Sequence, residues 1–363
     1  MSAATDLAAP LTVLALNSGS SSLKFGLYRV DATHADALLT GDHEAASLEQ
    51  QREAMLGIIE RLAASGLPRP DAIGHRIVHG GPALQGHAMI DEAVMSQLEA
   101  AAAFAPLHTP AALAVIRLAR QHFATVPQVA CLDTAFHADM PDLARTLPID
   151  RALRAEGIRR YGFHGLSCES IVRQLSPGVP ARLVIAHLGS GASITAVHNG
   201  RSIDTSMGLT PTGGVMMGTR SGDLDPGLLV YLMREKRLDA EGLDDLVNRR
   251  AGLLGVSGVS SDMRQLRAAA GTDDDKATDA ALAIELFCRS ACQQIAAMTA
   301  ALGGIDALVF TGGIGENDAP TRDAITRGLA WMGRFDVRVL PSQEDAQIAR
   351  HVWGCCANST TPV

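Results

Sequence analysis

Three glycine- and serine-rich stretches interrupt strand-like runs in this 363-residue chain, and each could cradle a phosphate. The first is Asn17-Ser-Gly-Ser-Ser-Ser22, with Lys24 close behind it. The second is His187-Leu-Gly-Ser-Gly191, and the third is Phe310-Thr-Gly-Gly-Ile-Gly-Glu-Asn317. Successive backbone N–H groups in such turns form anion-binding nests, and hydroxyls add donors. Taken alone, an ordinary surface hairpin turn explains the first stretch equally well. None is a Walker A loop, since no G-K-[ST] occurs in the chain, and none has the G-x-G-x-x-G spacing. Three such turns at strand ends in one chain favour nucleotide binding.

Histidines and arginines supply complementary chemistry. Twelve histidines occur, several in short polar–aromatic contexts: Gly74-His-Arg-Ile-Val-His-Gly-Gly81, Pro106-Leu-His-Thr-Pro110, Asp133-Thr-Ala-Phe-His137 and Tyr161-Gly-Phe-His-Gly165. A zinc hydrolase would use such residues as ligands. Against that, His75 and His79 lack the glutamate of an H-E-x-x-H helix and alternate with Ile77 along a strand-like run. With Arg76 and Arg220 they fit instead the placing of positive charge around an anion. Arg220 stands in Met217-Gly-Thr-Arg-Ser-Gly-Asp-Leu-Asp-Pro226. An arginine in such a loop can stabilise charge on a transferring phosphoryl group. A surface ion pair with Asp223 or Asp225 is the competing explanation.

These residues need elements to position them. Leu11–Leu16 and Leu23–Tyr28 read as two strands of a hairpin, and Leu183–His187 with Ala192–Val197 repeats the pattern about 170 residues later. Two such units suggest two copies of one domain type. Apolar residues at three-to-four spacing predict helices over Glu49–Ala64, Glu92–Phe104, Ala111–Phe123 and Asp279–Leu302. Strands are expected at Ala72–His79, Val126–Leu132 and Ala307–Thr311, which makes the fold α/β with mixed sheets. Thr205–Pro226 lacks periodicity and reads as a long functional loop. No low-complexity linker separates the halves, so closely apposed domains with a cleft are expected.

Composition narrows the function classes. Hydrophobic residues make up 47% and charged residues 19%, which excludes a disordered chain. The net charge of −8 argues against a nucleic-acid partner. No apolar run approaches the length of a membrane helix, and the N-terminal stretch lacks a basic region, so no membrane association and a cytoplasmic location are expected. The six cysteines show no C-x-x-C pair, and Cys288 and Cys292 fall one helical turn apart as packing residues.

Taken in order, Asn17–Phe25, Gly74–Gly81, Asp133–His137, Arg160–Gly165, Thr205–Leu209, Met217–Pro226 and Thr311–Asn317 resemble the motifs of the acetate kinase (acetokinase) family. The resemblance implies two duplicated ribonuclease-H-like, actin-like ATPase domains: 1–145 completed by 346–363, and 146–345. It implies reversible, in-line transfer of the ATP γ-phosphoryl to a short carboxylate with Mg²⁺, for which Mn²⁺ can substitute, and a homodimer formed through the second domain. Carried over residue by residue, Asp133, His164 and Arg220 would be catalytic. Asn17 and Glu344 would hold the metal, with Asp345 as an alternative to Glu344. Arg76 would bind the carboxylate, with Val78, Leu107, His108, Phe163 and Pro211 around the acyl group. Lys24, His187, Leu188, Gly189, Ser190, Gly191, Asp262, Met263, Arg264, Gly313, Ile314, Gly315, Glu316 and Asn317 would surround ATP or ADP. The chain departs from the family pattern at Ser190 and Thr109, where asparagine is usual, and at Cys168, where histidine is frequent.

The physical chemistry of that reaction suits the set. A carboxylate nucleophile is already ionised at neutral pH, so alignment and charge neutralisation matter more than a strong base. Asp133 then serves as an organiser of arginine and metal-bound water as readily as a proton carrier. The small apolar pocket residues suit a methyl or ethyl group. Propionate or butyrate kinase activity is the nearest alternative; a nucleotide-binding module without transfer chemistry and a zinc hydrolase are the others. The apolar helix Ala280–Leu302 is a candidate dimer interface, unless it is buried in its own domain.

Overall fold

The computed structural model describes residues 9–19, 22–45, 47–106, 108–272 and 275–359. They form two units. One takes in the chain up to Ala138 together with Gly165–Ser170 and the segment from Gln343 onward; the other comprises Asp139–His164 and Ile171–Ser342.

The first unit is built on six strands, β1 (Leu11–Ser18), β2 (Ser22–Val30), β3 (Ala35–Glu44), β4 (Ala72–Ile77), β5 (Ala88–Met89) and β6 (Gln128–Leu132). Their spatial order is β3-β2-β1-β4-β6-β5. β1, β2 and β3 form an antiparallel meander, β1, β4 and β6 run parallel, and β5 pairs antiparallel with β6. The continuous apolar run of β1 follows from its central place, since both faces are covered. Leu14 and Leu16 pack with Met55, Ile58, Val115 and Ala119 from the helices Leu48–Ala64 and Thr109–His122. Val13 and Ala15 point the other way, onto Ile348, Ala349 and Val352 of the helix Glu344–Ser359. That helix lies tight against β4: a Cβ on Gly74 would come 2.5 Å from Ile348 Cγ2 and 2.6 Å from Val352 Cγ2. β3 sits at the edge and carries polar side chains on a largely exposed strand.

The second unit repeats the plan with β7 (Arg182–Leu188), β8 (Ala192–His198), β9 (Arg201–Thr205), β10 (Ala307–Thr311) and β11 (Asp336–Val339), in the order β11-β10-β7-β8-β9. β7 to β9 are an antiparallel meander, and β7, β10 and β11 run parallel. Substituting β7, β8, β9, β10 and β11 for β1, β2, β3, β4 and β6 reproduces the order and directions of the first sheet apart from its edge strand β5. The fold is thus a duplicated α/β unit, as the two strand–turn–strand patterns predicted.

Several boundaries differ from the sequence reading. The strand at Ala72 ends at Ile77 rather than His79, and the helix from Glu92 gives way at Ala101 to a 3₁₀ turn. The long helix starts at Asp275, and its buried residues Ala280, Ala283, Phe287, Ala291, Ile295 and Met298 recur every three or four positions. Its apolar stripe is buried within its own unit, which accounts for the stripe without a dimer. No disulfide joins any of the six cysteines.

Candidate active site

In the first unit, functional side chains gather at the carboxyl ends of three adjacent parallel strands, where ligands of open α/β sheets bind. Asn17 stands near the end of β1, Arg76 near the end of β4, and Asp133 directly after β6. Arg76 donates to Asp133 Oδ2 through Nε at 2.9 Å and Nη2 at 2.6 Å, and to Asn17 Oδ1 through Nη1 at 3.3 Å. The Asn17 amide in turn donates to Glu344 Oε2 at 3.1 Å and Asp345 Oδ1 at 2.8 Å. Asn17 and Asp133 are buried. Both acidic residues lie in the first turn of the helix Glu344–Ser359, where negative charge complements the helix dipole.

Charge in this cluster is frustrated by design of the chain. Burial, with the nearby Glu344 adding to it, pushes the Asp133 carboxyl up against the opposing pull of Arg76. Burial also raises Asp345, again with Glu344 contributing, while the Asn17 amide and Lys24 draw it down. Arg76 is held firmly protonated: its carboxylate neighbours, Asp133 first, outweigh the burial that opposes them. Asp133 Oδ1 is buried and receives neither Arg76 bond; the nearby Leu166 N–H also draws the carboxyl down. Lys24 lies across from Asn17 on β2, on the exposed face. Three carboxylates face one guanidinium and one ammonium, and the donors are all oxygen. Such a set fits a hard divalent cation of the Mg²⁺ type.

The second unit assembles a different surface. Its β7–β8 turn closes with Gly189 N–H donating to Gly191 O at 2.9 Å. A Cβ on Gly191 would stand 3.2 Å from His164 Nε2 and 3.7 Å from Arg220 Nη1, so the turn brings these two side chains to one point. His164 adopts a left-handed backbone, with φ of 58°, at the start of the helix Gly165–Leu175. Its Nδ1 lies 3.0 Å from Ser193 Oγ, and its ring stacks on His187 with centroids 4.1 Å apart. Arg220 Nη1 donates to Pro211 O at 3.2 Å. The aspartates near it serve the backbone: Asp223 accepts from Gly214 N–H and Asp225 caps the helix Pro226–Glu235.

The expected nucleotide residues adjoin this turn. Gly218 N–H donates to Ser190 O at 3.3 Å, and a Cβ on Gly218 would lie 3.3 Å from Ser261 O, next to Asp262. A Cβ on Gly189 would lie 3.7 Å from Gly313 N, at the start of the short helix Gly312–Asn317. Gly313 itself borders open space. Asp262 caps the helix Met263–Ala270, and Arg264 is almost wholly exposed and paired with it at 2.6 Å. Glu316 and Asn317 bond to nearby backbone, Asn317 from an exposed position. Glu316 Oε1 accepts from the N–H groups of Gly312 and Ser342, and the Asn317 amide donates to Gly313 O, so both shape the turn.

The remaining expectations divide between the units. Val78 is buried just beyond β4, and His108 precedes the helix Thr109–His122 in the first unit. Phe163 and Pro211 are buried in the second. Leu107, and Ser20 and Ser21 of the first turn, lie outside the described residues. The expected positive charge at His75 and His79 is not found. His75 is buried, its Nε2 faces Gln128 Oε1 at 2.8 Å, and burial lowers its pKa to about 4. His79 is buried, and its Nδ1 accepts the Gly81 N–H at 2.8 Å. Sequence reasoning also passed over Arg160 as an anchor. Its Nη1 gathers the carbonyls of Thr205, Ser206 and Met207 at 2.8, 3.3 and 3.3 Å and so fixes the start of the Arg220 loop. Its place in the Arg160–Gly165 motif was the available signal.

Comparison with known proteins bears on the family and the fold. The profile of the acetokinase family matches residues 42–347. The acetate kinase of Rhodopseudomonas palustris (strain ATCC BAA-98 / CGA009) is 38% identical, over 94% of this chain and 97% of its own length. The crystal structure of Porphyromonas gingivalis acetate kinase superposes with a TM-score of 0.84 at 32% identity, covering 95% of this chain and all of that one. A propionate kinase from Francisella tularensis subsp. tularensis SCHU S4 superposes with a TM-score of 0.86 at 34% identity, over 95% and 99% of the two chains. The chain therefore belongs to the acetokinase family.

Proposed function

We propose that this chain moves the γ-phosphoryl of ATP to acetate, reversibly and in a single in-line displacement, giving acetyl phosphate and ADP. The observation that carries the reading is the Arg76–Asp133–Asn17 network, which fixes a guanidinium at a strand end beside a surplus of carboxylate oxygen. The two clusters divide the work: Arg76 takes the acceptor carboxylate, while the glycine turns at Gly189–Gly191 and Gly313 offer backbone N–H groups to the nucleotide. Asp133 locks the plane of the guanidinium, so its remaining donors are aimed before substrate arrives. His164 and Arg220 neutralise charge on the equatorial phosphoryl oxygens. Asn17, Glu344 and Asp345 would hold Mg²⁺, which when bound neutralises phosphate charge. No residue needs to act as a strong base, because the acceptor is already an anion.

Acetate is the favoured acceptor and propionate a secondary one. One methylene in an apolar pocket is worth about 1–3 kcal/mol, so the Francisella tularensis propionate kinase likeness fits a shared pocket with shifted preference. The test is acyl phosphate formation, trapped with hydroxylamine, from MgATP with acetate, propionate and butyrate in parallel. A Val78→Ala protein is expected to shift the ratio toward the longer acids. Signal with butyrate alone would overturn the assignment of acetate.

The same reading places the enzyme in the cytoplasm as a homodimer. Among the described residues no helix is long and apolar enough to cross a membrane. The helix Pro226–Glu235 buries none of its residues and exposes Leu228, Val230, Tyr231 and Met233. That exposed helix, rather than the buried stripe of Asp275–Leu302, is the dimer surface we propose. Light scattering on Tyr231→Arg is expected to show a monomer.

A further inference from the structure

We propose that the first unit carries a second cation site, of different chemistry, in which His87, Glu169 and His351 bind a transition metal of the zinc type. The three donor atoms lie within 4.8 Å of one another, and all three residues are half-buried, so the point they face is reachable from solvent. His351 Nε2 lies 2.7 Å from Glu169 Oε2 and 3.1 Å from Gln347 Nε2, and the His87 and His351 rings have centroids 3.7 Å apart. Gln347 Oε1 is buried with no hydrogen-bond partner. Turning that amide over brings Oε1 toward the same point and supplies a fourth donor. Two imidazoles and one carboxylate suit zinc and its neighbours, whereas Mg²⁺ prefers the all-oxygen set around Asn17. Zinc bonds of about 2.0–2.1 Å separate tetrahedral ligands by roughly 3.3 Å, so loading closes the widest pair by about 1.5 Å at most and opens the His351–Glu169 pair by about 0.6 Å.

Loading has a consequence for the catalytic cluster. His87 Nδ1 now accepts the Leu132 N–H at 3.1 Å. A neutral imidazole has one lone pair, so whichever nitrogen takes the ion, Leu132 loses its acceptor. Leu132 directly precedes Asp133. Glu169 rides on the helix whose first residue, Gly165, donates to Asp133 O at 2.8 Å, and His351 lies two turns along the helix that bears Glu344. Zinc bound here is therefore expected to depress turnover without displacing Mg²⁺.

The test is a calorimetric Zn²⁺ titration of metal-free protein in saturating Mg²⁺, with Co²⁺ absorption reporting ligand type. One ion per chain is expected, with affinity at least tenfold weaker in His87→Ser and in His351→Asn. A Cys355→Ser/Cys356→Ser protein, which removes the thiols nearby on the same helix, is expected to bind like the unaltered chain. Melting temperatures without zinc check the folding of each variant; if His351→Asn does not fold, His87→Ser decides. Unchanged affinity in His87→Ser, loss only in the cysteine variant, or no binding once Mg²⁺ is saturating would each overturn the site.

Discussion

The two sheets share one strand order, yet the residues at their carboxyl ends do opposite things. At the ends of β1, β4 and β6, side chains carry full charges and bond to one another: Arg76 to Asp133 and Asn17, and Asn17 to Glu344 and Asp345. At the β7–β8 turn and after β10, glycines bare the backbone, and the nearby rings of His164 and His187 stack. The scaffold sets where a ligand can bind; one or two residues beyond each strand decide whether it meets charge or backbone N–H groups. A buried ion pair must be complete to be tolerated, since a lone buried charge is costly. A glycine turn tolerates change until a side chain intrudes. The first surface should thus fail by destabilising, and the second by slowing the chemistry.

The largest expected effect tests the second surface. Arg220→Ala should lower kcat by about 10³–10⁵-fold, the range for an arginine on a transferring phosphoryl group, while ADP affinity measured by calorimetry changes little. A parallel collapse of ADP binding would move Arg220 from chemistry to nucleotide binding. Next comes the first surface. Arg76→Met leaves Asp133 buried without its counter-charge and should cost about 3–5 kcal/mol in urea unfolding, much of it recovered in Arg76→Met/Asp133→Asn. Additive losses would show that the pair does not act as a unit.

The pH dependence sharpens the contrast within the first unit. His75 is buried neutral with a pKa of about 4 against an ordinary 6.5, so its contribution is present above 6.5 and lost as pH falls toward 4. That window is worth about 3 kcal/mol, and melting temperatures of His75→Gln should fall less steeply through it. Asp345 has the opposite sign: its raised pKa favours the fold below the ordinary carboxyl range, and that gain is lost as pH rises through the folded value. Added Mg²⁺ should therefore raise the melting temperature more at pH 8 than at pH 5. The smallest expected change is at the glycine turn. Gly191→Ala puts a methyl 3.2 Å from His164 Nε2 and should slow turnover about tenfold, roughly 1.4 kcal/mol, with stability nearly unchanged.

What the sequence revealed was local. The turn at Asn17 and the turn at Leu188 announced themselves because apolar runs on either side read as strands, and the repeat followed. The shared sheet order did not, because β4 and β6, and β10 and β11, come from segments far apart in the chain. Asn17 meets Glu344 across 327 positions, and no spacing rule spans that distance. His75 reads as a cation in the company of Arg76 and Arg220; burial against Gln128 reverses that, and burial depends on the whole unit. His87 and His351 sit in segments without a motif, and only the fold brings them to Glu169.

Phosphoryl transfer from ATP to a short carboxylate should depend on Arg220. Hydroxylamine-trapped acyl phosphate from MgATP and acetate, measured for the unaltered chain and Arg220→Ala with ADP affinity determined on the same samples, tests it most directly. The account expects strong signal from the unaltered chain, near-complete loss in the variant, and ADP bound by both. ADP binding without acyl phosphate from any short carboxylate would contradict it.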